Sequence, residues 1–270
     1  MGSETRRLVG VSLKLYLGYA QTERWLAAVA DLAPRLPDDA LFVLPSTPAL
    51  PAARWLLTGT GVRYGTQNVH FEQAGPYTGE VSAGMVAELG ASFVEVGHAE
   101  RREHFGETDE IVARKMAAIA QAELTAVLCV GERERVAHSA AEAEVAAQLH
   151  SALAGYPRRS PLIVAYEPVW AIGADDAASA THVLGMTAAI RAVLARHGCA
   201  ARVLYGGSAG PGVFTEFARV ATSADQLPDG LFLGRSAHDI SALRSSVEEV
   251  LAAPEPPVVA AQARMRSVSK

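Results

Sequence analysis

Short apolar runs rich in β-branched residues return eight times along this chain, at 8–15, 41–44, 62–64, 93–96, 126–130, 162–166, 202–205 and 231–233. They are too continuously apolar for strands with one wet face, and read as parallel strands buried on both faces. Between them the apolar period lengthens to that of a helix. In 22–35, Trp25, Leu26, Val29 and Leu32 share one face; in 108–122, Ile111, Val112, Lys115, Met116 and Ile119 do. The Ala-rich stretches 140–153 and 177–196 carry strong helix formers. Strand–helix alternation predicts an α/β fold with a parallel sheet and right-handed crossovers. Eight units in succession predict a single closed (β/α)8 barrel rather than an open sheet.

Composition narrows what such a barrel could do. The chain has 270 residues, 50% hydrophobic and 20% charged, which suits one soluble domain with a large core. That domain is expected over residues 1–253. The remainder, PEPPVVAAQARMRSVSK at 254–270, is broken by proline and lacks a core-facing period, and is expected to be a disordered tail. A net charge of −5 argues against a nucleic-acid partner. No apolar stretch is long enough to span a bilayer. The N-terminal MGSETRRLVG reaches a strand too early to hold a signal peptide, so a cytoplasmic protein is expected. Cys129 and Cys199 form no CxxC pair and join no histidine cluster. Neither a disulfide nor a metal site is expected, and both read as small core residues.

In a barrel of this kind, chemistry collects on the loops that follow the strands. Polar residues converge on that rim. The first strand ends with Lys14 in VSLKLY, the third leads into Gln67 and Asn68, and the fourth runs into VGHAERR with His98 and Glu100. The sixth ends in AYEPVWAIG with Glu167, the seventh in YGGS and the eighth in GRS. Structural alternatives exist for most of them. Lys14 could be a surface lysine, His98 a hydrogen-bonded structural histidine, Glu100 the ion-pair partner of Arg101 or Arg102, and Gly206-Gly207 a tight turn. Glu167 lies between a buried strand and a proline, where an unpaired carboxylate is costly, which favours a functional reading.

Taken together, AYEPVWAIG, VGHAERR, YGTQNVHFEQAGPYTGEVS, LCVGE, YGGS and DGLFLG resemble the blocks of the triosephosphate isomerase family, in that family's order and in register with the eight strands. The resemblance runs from Leu8 to about Leu251 and implies a TIM barrel. It also implies roles. Glu167 would be the base that shuttles a proton between adjacent carbons, and His98 the electrophile that polarises the carbonyl. Lys14 would supply positive charge, with Glu100 as the carboxylate beside it. Pro168, Val169, Trp170, Ala171 and Ile172 would form a lid, and the backbone amides of Gly173, Ser208 and Gly234 would grip a phosphate. The loop at 75–80 would reach into a neighbouring subunit with Thr78, implying a homodimer. A small phosphorylated sugar is the implied substrate, and neither cofactor nor metal is implied.

Four departures from the family pattern bear on the substrate. Ser12-Leu13-Lys14 stands where Asn-Trp-Lys is usual, so a longer amide donor becomes a short hydroxyl and opens space beside the reacting carbons. Ala99 replaces a serine that would hydrogen-bond the glutamate. The lid continues as Ala174-Asp175-Asp176 rather than Thr-Gly-Lys. Gly234 is followed by Arg235 rather than glycine, and the sequence leaves open whether Arg235 faces the phosphate or points outward. Ser12 and the Gly-Arg-Ser end resemble the family's erythrulose-phosphate isomerase subgroup. The expected reaction is therefore L-erythrulose 1-phosphate to D-erythrulose 4-phosphate in tetritol catabolism. The alternatives are interconversion of dihydroxyacetone phosphate and glyceraldehyde 3-phosphate, and a phosphate-ligand sensor without turnover.

Overall fold

The structure is a computed structural model that describes residues 7–173, 177–254 and 256. The expected change at Ala174–Asp175–Asp176, the reading of the first six residues and, apart from Pro254 and Pro256, the expected tail lie outside the described residues.

In chain order the strands and α-helices are β1 (Leu8–Ser12), α1 (Tyr19–Leu32), β2 (Leu41–Leu44), α2 (Leu50–Leu57), β3 (Arg63–Thr66), α3 (Ala83–Glu88), β4 (Phe93–Val96), α4 (Ala99–Phe105) and α5 (Asp109–Gln121). They continue with β5 (Thr125–Val130), α6 (His138–Leu153), β6 (Leu162–Tyr166), α7 (Ala180–His197), β7 (Ala201–Tyr205), α8 (Val213–Val220), β8 (Gly230–Leu233) and α9 (Ile240–Ala252). Each strand pairs in parallel with the next, and β1 also pairs with β8, Val9 facing Leu41 on one side and Leu231 on the other. The closed barrel that the alternation predicts is the fold.

Some boundaries differ from the periodicity. β1 stops at Ser12, so Lys14 lies in the loop beyond it, where its φ of 50° has left the strand region. The helix predicted from residue 177 starts at Ala180, because Ser179 caps it by accepting from the His182 amide at 3.3 Å. The short helices α2, α3, α4 and α8 span too few turns to show a period.

Strand parity explains how the site is placed. Leu8, Phe42, Leu44, Val127, Cys129, Ile163, Ala165, Leu204 and Phe232 pack together as one apolar cluster inside the barrel. The alternate strand residues, among them Val9, Val11, Val43, Val94, Val96, Leu128 and Val164, pack with the helices in a second, larger cluster. Gly10 belongs to the interior set: a Cβ there would lie 2.2 Å from Phe42, so its absence admits that ring, which stacks on Phe93 at 4.5 Å. Counting on by two from the interior residues of β1 and β6 leads to Ser12 and Glu167. The barrel's own pleat therefore aims these two side chains inward at the rim.

Candidate active site

Glu167 follows β6, its amide still bonded to the Val130 carbonyl at 2.8 Å. The side chain is 4% exposed. It packs so closely on Gly206 that a Cβ there would lie 2.7 Å from the carboxyl, so this turn requires glycine for space. Oε2 is buried and has no hydrogen-bond partner among the described residues. Ala99, where a serine was noted as usual, has no hydroxyl to offer it. Burial, followed by the nearby Glu95 carboxylate, raises the Glu167 pKa well above the ordinary carboxylate value, against the pull of Lys14. A carboxylate without a donor in a desolvated site is a strong base.

His98 is the N-cap of α4, and its Nδ1 accepts from the Glu100 amide at 3.2 Å. An accepting Nδ1 leaves the ring proton on Nε2. That nitrogen faces Glu167 Oε2 at 3.3 Å. Burial and the Lys14 charge lower the His98 pKa to about 4, so the ring is neutral at neutral pH and presents an N–H.

Lys14 is one of three described non-glycine residues with positive φ. Its carbonyl holds the turn, accepting from Gln67 Nε2 at 3.1 Å and Ser46 Oγ at 3.3 Å. Its Nζ donates to Glu100 Oε1 at 2.8 Å. Burial works against its charge, but Glu100, Glu167 and Glu95 outweigh burial and leave the Lys14 pKa raised. Glu100 thus pairs with Lys14. Arg101 pairs instead with Glu107, and Arg102 with Asp109, so the structural alternative for Glu100 does not hold.

These groups line a cavity of about 590 Å³ with Ser12, Tyr16, Ile172, Gly173, Gly206 to Gly210, Gly234, Arg235 and Ser236. Much of its far wall is glycine turn, where backbone N–H groups can approach an anion. Arg235 faces this cavity: its guanidinium lies 5.9 Å from the Tyr16 ring and 3.1 Å from where a Cβ of Gly173 would be. Gly173 has φ of +68°, so both its backbone and its neighbour require glycine. Pro168 precedes a 3₁₀ turn, Val169–Ala171, and Ile172 and Gly173 beyond it line the cavity. The bonds that seat this segment include the Val169 amide donating to the Glu132 carbonyl at 2.9 Å, Trp170 Nε1 donating to Glu132 Oε1 at 2.9 Å, and Ser208 Oγ donating to the Ala171 carbonyl at 2.6 Å. Thr78 lies away from these groups, exposed in the loop between β3 and α3.

Several supporting residues were not singled out from the sequence. Buried Glu107 accepts from the Gly97 amide and Arg101, and pairs with Lys115, whose Nζ also reaches Asn68 Oδ1 at 2.7 Å. This cluster anchors the loop that carries His98. Glu132 takes hydrogen bonds from Tyr166, Trp170 and His182; burial alone would raise its pKa, but these donors hold it below the ordinary value. Glu95 sits inside the barrel on β4, 3% exposed, and accepts from Ser12 Oγ at 2.7 Å. Burial pushes its pKa up to about 7 against that bond and Lys14. The signal was present in FVEV, a glutamate inside a strand buried on both faces. Of the cysteines, Cys129 is buried in the interior cluster, and Cys199 is only partly buried, at the edge of the outer one.

The sequence model of the family described as triosephosphate isomerase matches residues 7–250. An L-erythrulose-1-phosphate isomerase of Pectobacterium atrosepticum is 40% identical over 260 residues, covering 92% of this chain and 96% of that protein. One of Rhizobium etli is 37% identical over 256 residues, covering 91% and 92%. A triosephosphate isomerase of Thermus thermophilus is 40% identical over 219 residues, covering 78% and 87%.

Proposed function

The chain belongs to the triosephosphate isomerase family, and from that premise we propose that this isomerase converts L-erythrulose 1-phosphate to D-erythrulose 4-phosphate. The observation that carries the four-carbon reading is Ser12, a short side chain lining the cavity where the family pattern has asparagine. It leaves room for the hydroxymethyl group by which a tetrulose exceeds a triose. Two relatives named for L-erythrulose 1-phosphate also match over more than nine-tenths of this chain.

The chemistry moves one proton and one carbonyl. The substrate carries its carbonyl on C2 and a hydroxyl on C3. Glu167 takes the proton from C3, and the electron pair flows toward the C2 oxygen. His98 Nε2–H and the Lys14 ammonium stabilise the charge that grows there, in a site shielded from water. The proton then moves between the two oxygens of the enediol, and Glu167 returns a proton to C2. The carbonyl is left on C3, with no atom gained or lost and no cofactor needed. Seating of 168–173 over the rim excludes water, which strengthens the base and keeps the enediol from losing phosphate. Backbone amides of Gly173, Ser208 and Gly234 hold the phosphate. The working unit of this reading is a cytoplasmic homodimer in which Thr78 reaches the partner's site. Tyr77 is 40% exposed beside Thr78, and Leu15, in the loop that bears Lys14, is 91% exposed.

A triose-phosphate substrate is the second reading, favoured by the 40% identity to the Thermus thermophilus protein. One experiment separates them: kcat/KM measured side by side for L-erythrulose 1-phosphate and glyceraldehyde 3-phosphate, in the wild type and in Ser12→Asn. A wild-type preference for the tetrulose of about a hundredfold, roughly 2.7 kcal/mol of differential transition-state binding, supports the proposal. The reverse preference, or an unchanged ratio in Ser12→Asn, overturns it.

A further inference from the structure

Glu95 shares strand parity with Phe93 and so points into the barrel interior, where the apolar cluster includes Phe42, Cys129, Ala165, Leu204 and Phe232. A carboxyl in such surroundings is costly unless something requires it. Among the described residues, Glu95 makes one side-chain bond shorter than 3 Å, the 2.7 Å contact in which Ser12 Oγ–H donates to its Oε2, and its Oε1 has the Cys129 thiol at 3.9 Å. Ser12 lines the cavity, and Glu95 lies behind it.

This pairing fixes the hydrogen-bonding sense of the cavity floor. A serine hydroxyl has one proton and two lone pairs, and an ionised carboxylate only accepts. With its proton committed to Glu95, Ser12 can offer the cavity only an acceptor. The asparagine of the family pattern would offer an amide donor at the same place. A donor suits a carbonyl or enediolate oxygen, whereas an acceptor suits a hydroxyl hydrogen and repels a carbonyl oxygen. The unphosphorylated end of a tetrulose carries a hydroxymethyl group, which can donate. A triose has no such carbon: its chain ends one carbon earlier, and in one of its two isomers that last carbon is an aldehyde, which offers no hydroxyl to an acceptor.

We infer that Glu95 is a specificity-determining positioning residue: by holding the Ser12 proton it turns the cavity floor into an acceptor for the terminal hydroxyl of a four-carbon ketose phosphate. The inference rests on the four-carbon reading above and adds to it the residue that enforces the choice.

The test is the ratio of kcat/KM for L-erythrulose 1-phosphate over glyceraldehyde 3-phosphate in wild type, Glu95→Gln, Ser12→Ala and the double variant. Assays run at about one unit above the Glu95 pKa of about 7, so that the carboxyl is ionised. A glutamine amide in place of the carboxylate can donate to Ser12 and release its proton toward the cavity. The ratio is expected to fall about tenfold or more in Glu95→Gln, the size of one mispaired hydroxyl contact. Ser12→Ala should lower it comparably, and the double variant should fall no further than the larger single effect, because one acts through the other. A merely structural glutamate would lower both substrates together and leave the ratio unmoved. An unmoved ratio in Glu95→Gln, or additive effects in the double variant, overturns the inference while leaving the tetrulose reading intact. A wild type that prefers the triose overturns the tetrulose reading and the inference with it. Should Glu95→Gln fail to fold, Ser12→Ala alone decides, an unmoved ratio again overturning the inference.

Discussion

His98 Nε2 lies 3.3 Å from Glu167 Oε2, yet that oxygen takes no hydrogen bond among the described residues, so the two groups line the cavity side by side instead of satisfying one another. A substrate seated against both would meet an N–H from one and a desolvated carboxylate from the other. Glu167→Gln keeps the shape that packs on Gly206 and removes only the base. It should cost about 10²–10⁴-fold in kcat/KM, the usual contribution of a positioned base, with the melting temperature kept or raised. Because burial raises the Glu167 pKa, the wild-type kcat/KM should fall with decreasing pH through a pKa above 4.5. An acid limb at or below that value, or a mild Glu167→Gln, would remove Glu167 from the role of base.

Lys14 and Glu100 form a pair in which Glu100 is half-exposed, and such pairs contribute little by themselves. Their roles should therefore separate. Lys14→Met removes a charge aimed into the cavity and should lower kcat/KM by about 10²–10³-fold. Glu100→Gln leaves the ammonium in place and should lower kcat/KM by less than about tenfold. Equal severity in the two variants would place Glu100 in the chemistry itself.

Much of this was legible in the sequence, for reasons that particular residues make plain. The barrel was legible because strands buried on both faces leave unmistakable apolar runs, and Lys14, His98 and Glu167 because each follows such a run. Lys115 was legible only as part of an apolar helical face; its partner Glu107 is close in the chain, but nothing in the periodicity reveals a buried pair. Glu132 gathers Tyr166, Trp170 and His182 from three segments, a convergence that only the closed barrel produces. Which way Arg235 points depends on the turn after β8 and could not be read from residue order.

Arg235 faces the cavity beside Gly173 and Tyr16, at the glycine-walled end where an anion would sit. Removing it in Arg235→Gly should raise KM about tenfold, within the range of one charge-assisted hydrogen bond, with a smaller effect on kcat. The salt dependence of kcat/KM should also flatten, since one attractive charge near a dianion is lost. Unchanged KM and salt slope would mean that the guanidinium serves only to pack over Tyr16 and Gly173.

Glu95 makes a prediction about stability that is independent of substrate. Its pKa is raised in the fold from 4.5 to about 7, so the folded protein holds this proton more tightly than the unfolded chain does. Its contribution is fully present below pH 4.5 and is lost as pH rises through about 7. His98 works in the opposite sense: with its pKa lowered from 6.5 to about 4, its contribution is present above 6.5 and lost as pH falls toward 4. The two oppose each other in the wild type, so the informative quantity is the difference between wild type and Glu95→Gln, in which His98 is common to both. Glutamine does not titrate, and its loss of charge also relieves Glu167, whose raised pKa acts in the same direction as that of Glu95. The melting temperature of Glu95→Gln relative to wild type should therefore climb between about pH 4.5 and 7, by several degrees, since one pKa unit corresponds to about 1.4 kcal/mol and 1 kcal/mol to about 2–4 °C for a domain of this size. Thermal unfolding followed by circular dichroism across that range measures it. A constant offset between the two curves would mean that Glu95 keeps an ordinary pKa, and that the barrel interior around Ser12 is wetter than its packing implies.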